Sequence, residues 1–66
     1  MNETFGQRLK RIRKGKKYTQ RKLAKKSGLY HQSISNYEKE RAQPNLPTIE
    51  WLCKALDVTA TELLGF

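Results

Sequence analysis

One short segment of the chain carries side chains that can bind the edge of a flat, polar ligand. Gln32 and Asn36 stand four residues apart, and His31 lies beside them. On a helix with about 100° between residues, the two amides point away from the side that carries Ile34 and Tyr37. A primary amide donates and accepts hydrogen bonds at once, so it matches an edge that offers an acceptor beside a donor. The segment therefore predicts a polar recognition surface.

Few other residues suit catalysis or metal binding. The chain has one cysteine, Cys53, and one histidine, His31, which fall on different predicted helices. Cys53 cannot form an internal disulfide, and no CxxC or Cys/His pair offers a zinc site. The carboxylates are predicted to cap helices or to face solvent. We therefore expect no enzyme activity, no cofactor and no metal.

The charge of the chain is concentrated in its first half. The 66 residues carry a net charge of +8 at pH 7. Residues 1–31 hold eleven Lys and Arg against Glu3 alone, a net +10, whereas residues 32–66 hold three against five acidic residues, a net −2. Such asymmetry favours a polyanionic partner over a merely solvated basic surface. A membrane is disfavoured because the basic segment has only a narrow apolar stripe and no Trp.

Length and periodicity predict an all-α fold, a compact five-helix bundle with no strand. A chain this short forms at most one domain. It has no apolar run long enough to span a membrane and no secretory signal near Met1, so we expect a cytoplasmic protein. Capping residues separate short stretches with helical spacing. The start and stop signals are Thr4-x-x-Gln7, Gly15, Thr19, Gly28, Pro44, Asn45 and Thr59-x-x-Glu62.

A very short turn joins the second and third predicted helices. Two helices joined in this way meet at a steep angle, and their backbones approach closely at one point. Ala24 supplies the small side chain needed there, and Gly28, four residues later, accepts a positive φ. Leu23, Leu29 and Ile34 are predicted to fill the angle. Few helical hairpins combine all of these features.

With these residues the chain resembles the helix-turn-helix domain of lambdoid phage repressors and Cro-like bacterial regulators. The resemblance runs from about Phe5 to Leu64. It implies one DNA-binding domain of the lambda-repressor type over residues 1–66, with the helix-turn-helix at about 20–38. The residues that carry it are Phe5-Gly6-x-x-Leu9, Arg13, Thr19-Gln20, Leu23-Ala24, Gly28-Leu29, Ser33-Ile34-Ser35, Glu38, Pro44, Ile49 and Leu56-x-Val58.

The resemblance also implies a structural ion pair and an anion site. Arg13 and Glu38 are expected to form a partly buried pair. Gln20 is expected to bind a phosphate at the start of the second helix, where free N–H groups favour an anion. Three residues depart from the family pattern. Glu40 stands where the family usually has a glycine. Ser27 stands where an apolar residue is common, and Tyr30 stands where a short capping side chain is usual.

The resemblance places the third helix in the major groove of double-stranded DNA. Gln32 is the first predicted base reader, since an amide can bind adenine N6 and N7 together. His31 is the second, as a donor to guanine or as a phosphate ligand, and Asn36, Tyr30 and Ser33 follow. The predicted phosphate contacts, which set register but not sequence, are Thr19, Gln20, Arg21, Lys39, Arg41 and Asn45.

A second surface is predicted on the fourth and fifth helices. Trp51 and Ala55 lie outside the apolar stripe of the fourth helix. With Val58 and Phe66 they form a candidate dimer face, the alternative being a partly covered aromatic on a monomer.

The expected function is a DNA-binding transcriptional regulator, a repressor that binds a palindromic operator as a homodimer. Its expected place is the bacterial cytoplasm, at the nucleoid, in a protein of bacterial or phage origin. The alternatives are an antitoxin of a toxin–antitoxin pair, a restriction-modification controller, and the DNA-binding half of a longer repressor. A toxin or an antirepressor is the possible protein partner.

Overall fold

The computed structural model describes residues 3–66, and within that range the chain forms five α-helices and no strand. None of the helices in the described part has the length and apolarity that a bilayer crossing requires. The expectation of an all-α, five-helix fold is confirmed. The helices are α1 (Phe5–Gly15), α2 (Gln20–Ser27), α3 (His31–Glu38), α4 (Leu46–Leu56) and α5 (Ala60–Leu64).

Side chains cap the starts of four of these helices. The Thr4 and Thr59 hydroxyls form the two predicted capping boxes with Gln7 and Glu62. Thr19 caps α2 and Asn45 caps α4 in the same way, each accepting from a backbone N–H of the first turn. These bonds satisfy N–H groups that have no partner inside the helix. Local sequence alone therefore sets where these helices begin.

All five helices end in the same backbone motif. A residue in the left-handed conformation follows the helix, and the next N–H donates to the carbonyl five residues earlier, as Leu29 does to Ala24 at 3.1 Å. We expected Pro44 to stop α3, but that helix ends at Glu38 because the chain already turns at Glu40. The left-handed residues are Lys17, Gly28, Glu40, Asp57 and Gly65.

The core lies between α2, α3 and α4 and is closed by α1 and α5. Ala24 is only 5% exposed and lies in α2, which packs against α3. Leu29 and Tyr37 are partly buried against the same core, as predicted. Ser27 is buried as well, and its hydroxyl donates to the Ala24 carbonyl at 3.2 Å, so the polar replacement is satisfied. The fully buried side chains are Leu9, Leu23, Ile34, Leu52, Leu56 and Leu63.

Arg8 fastens α1 to α5. Its guanidinium donates to the Leu64 carbonyl at 3.2 Å and to the Glu3 carbonyl at 3.1 Å. The Glu3 carboxylate in turn accepts two hydrogen bonds from Arg11, and that contact holds the pKa of Glu3 below its ordinary value. The last helix, which is too short to be stable alone, is thus tied to the first.

Candidate nucleic-acid interface

The third helix presents the polar surface that the sequence predicts. Ile34 is fully buried and fixes one side of α3 on the core. Gln32 on the other side is exposed, while His31 and Asn36 are half-exposed. A helix held in this way offers its outer side chains to a partner without losing its own packing.

The start of α3 also differs from the other helix starts. Tyr30 stands at the N-cap, is 84% exposed and makes no capping hydrogen bond, as expected. Ser33, one turn further on, is half-exposed and its N–H donates to the Tyr30 carbonyl at 3.0 Å. Tyr30 and Gln32 are therefore both exposed at the start of α3.

Arg13 and Glu38 form a buried, two-point ion pair between α1 and α3. The Nε and Nη2 atoms of Arg13 lie 2.6 Å and 3.1 Å from the two carboxylate oxygens of Glu38. The two side chains are only 9% and 3% exposed. The third donor, Nη1 of Arg13, reaches the Tyr18 carbonyl at 2.8 Å. Because both charges are paired and fully hydrogen-bonded, their burial is tolerated.

Gln20 takes part in this network, which sequence reasoning did not anticipate. Its Nε2 donates to Oε1 of Glu38 at 3.1 Å. One N–H of the Gln20 amide is therefore engaged inside the protein, and the groups left for an anion are the second amide N–H and the backbone N–H groups that begin α2. No pattern in the sequence pairs a residue in α2 with one in α3 at this separation.

The Gln20–Glu38 contact brings the start of α2 next to the end of α3. Five of the predicted phosphate contacts flank this junction and are exposed. Asn45 also caps α4 through its Oδ1, which accepts from Thr48 N–H at 3.1 Å, so its amide N–H₂ group stays free to donate. The five residues are Thr19 and Arg21 at the start of α2, and Lys39, Arg41 and Asn45 between α3 and α4.

A basic surface runs from the end of α1 along α2. Its members are exposed, and none of them pairs with a carboxylate within residues 3–66. Lys26 lies over the ring of Tyr18, with its Nζ 5.4 Å from the ring centre, an arrangement that favours a cation. The surface consists of Lys14, Lys16, Lys17, Arg21, Lys22, Lys25 and Lys26.

The four residues predicted to form a dimer face differ in their exposure. Trp51 is 49% and Phe66 is 91% exposed. Ala55 and Val58 are half-buried and pack against the core, so they offer less free surface than Trp51 and Phe66. Helix α5 packs against α4, and the role of these four residues in a dimer stays a prediction.

Cys53 lies on α4 and is half-buried. Burial raises the pKa of its thiol, and the negative charges of Glu50 and Glu62 raise it further. A neutral, half-buried thiol is a poor nucleophile, since the thiolate is the reactive form.

The chain is similar to several proteins of known kind. A family model described as helix-turn-helix matches residues 9–63. The immunity repressor protein of Bacillus phage phi105 is 39% identical over 62 residues, which cover 94% of this chain and 43% of that protein. The chain spans about half the length of the curated relatives it matches.

Two solved structures share both the fold and a substantial part of the sequence. The restriction-modification controller protein C.AhdI from Aeromonas hydrophila superposes with a TM-score of 0.89 at 37% identity, covering 91% of each chain. The P22 c2 repressor, solved in complex with a synthetic operator, superposes with a TM-score of 0.88 at 32% identity, covering 96% of each chain. The chain therefore belongs to the helix-turn-helix family that contains phage repressors and bacterial transcriptional regulators.

Proposed function

We propose that this chain binds double-stranded DNA at a specific sequence and represses transcription by occupying that site. The observation that carries the proposal is α3, which buries Ile34 and exposes Gln32 beside an uncapped, aromatic start. The P22 c2 repressor, whose structure is so similar, was solved on a synthetic operator. Residues 1–66 act in this proposal as one DNA-binding domain.

In this proposal α3 lies in the major groove and reads base edges through its first turns. Gln32 binds adenine by donating to N7 and accepting from N6–H₂. His31 donates to a guanine acceptor or to a phosphate, and Tyr30 packs against the sugar or a thymine methyl group. Asn36 and Ser33 reach bases deeper in the groove.

The proposed phosphate contacts lie at the start of α2 and beyond the end of α3, which are neighbours in the fold. Thr19, Gln20 and Arg21 meet one phosphate group at the start of α2, where Gln20 offers its backbone N–H and the amide N–H that does not bind Glu38. Lys39, Arg41 and Asn45 meet the backbone beyond the end of α3. The lysines along α2 add long-range attraction.

We propose further that two copies bind together, with Trp51 and Phe66 at the centre of their contact and Ala55 and Val58 at its edge. A two-fold dimer would place two copies of α3 about 34 Å apart, one turn of DNA. Sedimentation equilibrium at micromolar concentration tests this, with and without DNA. A strict monomer on a bound palindromic duplex would refute it.

Selection of bound duplexes from a random pool tests the DNA-binding proposal. We expect enrichment of a palindrome whose half-sites are one helical turn apart. A salt titration on the enriched duplex should then give a log–log slope of about −0.9 for each phosphate neutralised. A flat titration, or a pool with no enriched sequence, would refute sequence-specific binding.

A restriction-modification controller is the second candidate, favoured by the similarity to C.AhdI. A promoter reporter that carries the enriched palindrome separates the two. Repression from this palindrome supports the first candidate, whereas binding without repression counts against it and leaves the controller.

A further inference from the structure

Glu40 differs from the other left-handed residues that end the helices. Its φ is +62°, and its carboxylate Oε2 accepts a hydrogen bond from Thr4 Oγ1, thirty-six residues earlier in the chain. Lys17 and Asp57 have nearly the same backbone conformation, with φ of +63° and +56°. Neither of them makes a side-chain hydrogen bond within the described residues 3–66. Of these three left-handed residues, only Glu40 also makes a side-chain contact with a distant part of the chain.

The contact joins the end of α3 to the start of α1. The Thr4 hydroxyl accepts from the Gln7 N–H at 3.1 Å while it donates to Glu40. The first turn of α1 contains no acidic residue, so the Glu40 carboxylate supplies the negative charge that a helix N-terminus favours. Gly6 permits the close approach, because a Cβ there would lie 2.5 Å from the Tyr37 carbonyl oxygen.

This contact fixes the first part of the loop that spans residues 39–45. The N–H of Arg41 donates to the Asn36 carbonyl at 2.9 Å, which anchors the loop backbone to α3. The side chain of Glu40 anchors the same loop to α1. Lys39, Arg41 and Asn45, three of the proposed phosphate contacts, stand on this loop.

We propose that Glu40 is a positioning residue for DNA binding: through Thr4 it holds the 39–45 loop where its side chains meet the phosphate backbone. This proposal rests on the proposed function. The competing effect of Glu40 is its charge, which repels phosphate, so removing the charge by itself strengthens binding. A test must therefore compare variants of equal charge.

Glu40→Gln and Glu40→Gly provide that comparison. Both variants are neutral at position 40, but only glutamine keeps an oxygen that can accept from Thr4. We expect the Gly variant to bind a fluorescent random-sequence duplex about three- to ten-fold more weakly than the Gln variant, as the loss of one ordering hydrogen bond predicts. Asp57→Asn and Asp57→Gly are the matched controls at the end of α4, and we expect them to bind equally.

A double-mutant cycle with Thr4→Val separates the contact from loop flexibility. Thr4→Val also removes a helix cap, but this loss is common to both arms of the cycle. We expect it to weaken DNA binding more in the natural chain than in the Glu40→Gly background. The same cycle measured by urea unfolding should show coupling without DNA.

The possible failures are distinguishable. Equal binding of the Gln and Gly variants, or independent effects of Thr4→Val and Glu40→Gly, would overturn the role of Glu40 while leaving DNA binding in place. If the natural chain binds no duplex even at low salt, the proposed function fails, and the role of Glu40 fails with it.

Discussion

The buried Arg13–Glu38 pair makes a sharp prediction about stability. Glu38→Ala leaves the Arg13 guanidinium, in a side chain 9% exposed, without the two hydrogen bonds that now neutralise it. The Tyr18 carbonyl remains as its single acceptor. Removing one partner of a buried pair costs about 3–5 kcal/mol, because the other charge stays desolvated.

That loss is comparable to the whole stability of the domain. A chain of this size has an unfolding free energy of about 3–10 kcal/mol. Each kcal/mol corresponds to about 4–8 °C in the melting temperature of so small a domain. We therefore expect Glu38→Ala to melt about 12–40 °C below the natural chain, or to be largely unfolded at room temperature.

Circular dichroism during thermal and urea unfolding measures the effect. Glu50→Ala, which removes an exposed carboxylate from α4, is the control and should change stability by less than about 0.5 kcal/mol. Replacing both partners with apolar residues, Arg13→Met with Glu38→Leu, should recover much of the loss. A solvated surface pair contributes less than about 1 kcal/mol to stability. If Glu38→Ala lowers the unfolding free energy by no more than that, the pair does not behave as a buried one and the prediction is refuted.

Three further predictions concern the helix contact, the reading helix and the thiol. Gly6→Ala should destabilise the chain by about 2 kcal/mol or more in urea unfolding, because its Cβ would meet two backbone carbonyl oxygens of α3 at 2.5 Å and 2.7 Å. Gly15→Ala, with no atom within 4 Å of its Cβ, should instead leave stability unchanged or raise it. Gln32→Ala should cost about 1–3 kcal/mol in operator binding and relax the preference at one base pair. An equal loss on every sequence, measured by anisotropy, would show that Gln32 reads no base. Cys53, whose thiol pKa is raised by burial, should react with iodoacetamide at mildly alkaline pH more slowly in the folded chain than in urea, and equal rates would contradict this.

Local sequence was enough to predict where the helices begin and what kind of fold they form. Thr4 and Thr59 cap their helices through contacts only three residues away, so the signal and the structure lie in the same short segment. Gly28 ends α2 with a φ of +79° for the same local reason. The exposure of Gln32 followed from helical spacing, because Ile34 fixes which side of α3 is buried.

Charge and spacing could not predict the contacts between distant segments. The Arg13–Glu38 pair was expected from the family resemblance alone, and its burial and two-point geometry are visible only in the fold. Nothing in the spacing indicated that the Gln20 amide donates to Glu38, and the phosphate contact of Gln20 stays a prediction. Ala55 and Val58 were expected on a dimer face, and only the fold shows that both are partly buried against the core.

Glu40 illustrates the difference between what the sequence establishes and what the tertiary structure adds. By itself the sequence determined a basic five-helix chain with a polar third helix, since caps, periodicity and charge are properties of neighbouring residues. The family resemblance also showed that Glu40 stands where a glycine is usual, which indicated a changed loop and a negative charge close to the expected phosphates. The tertiary structure decided what that side chain does, because its partner Thr4 becomes a neighbour only after α1 has packed against α3.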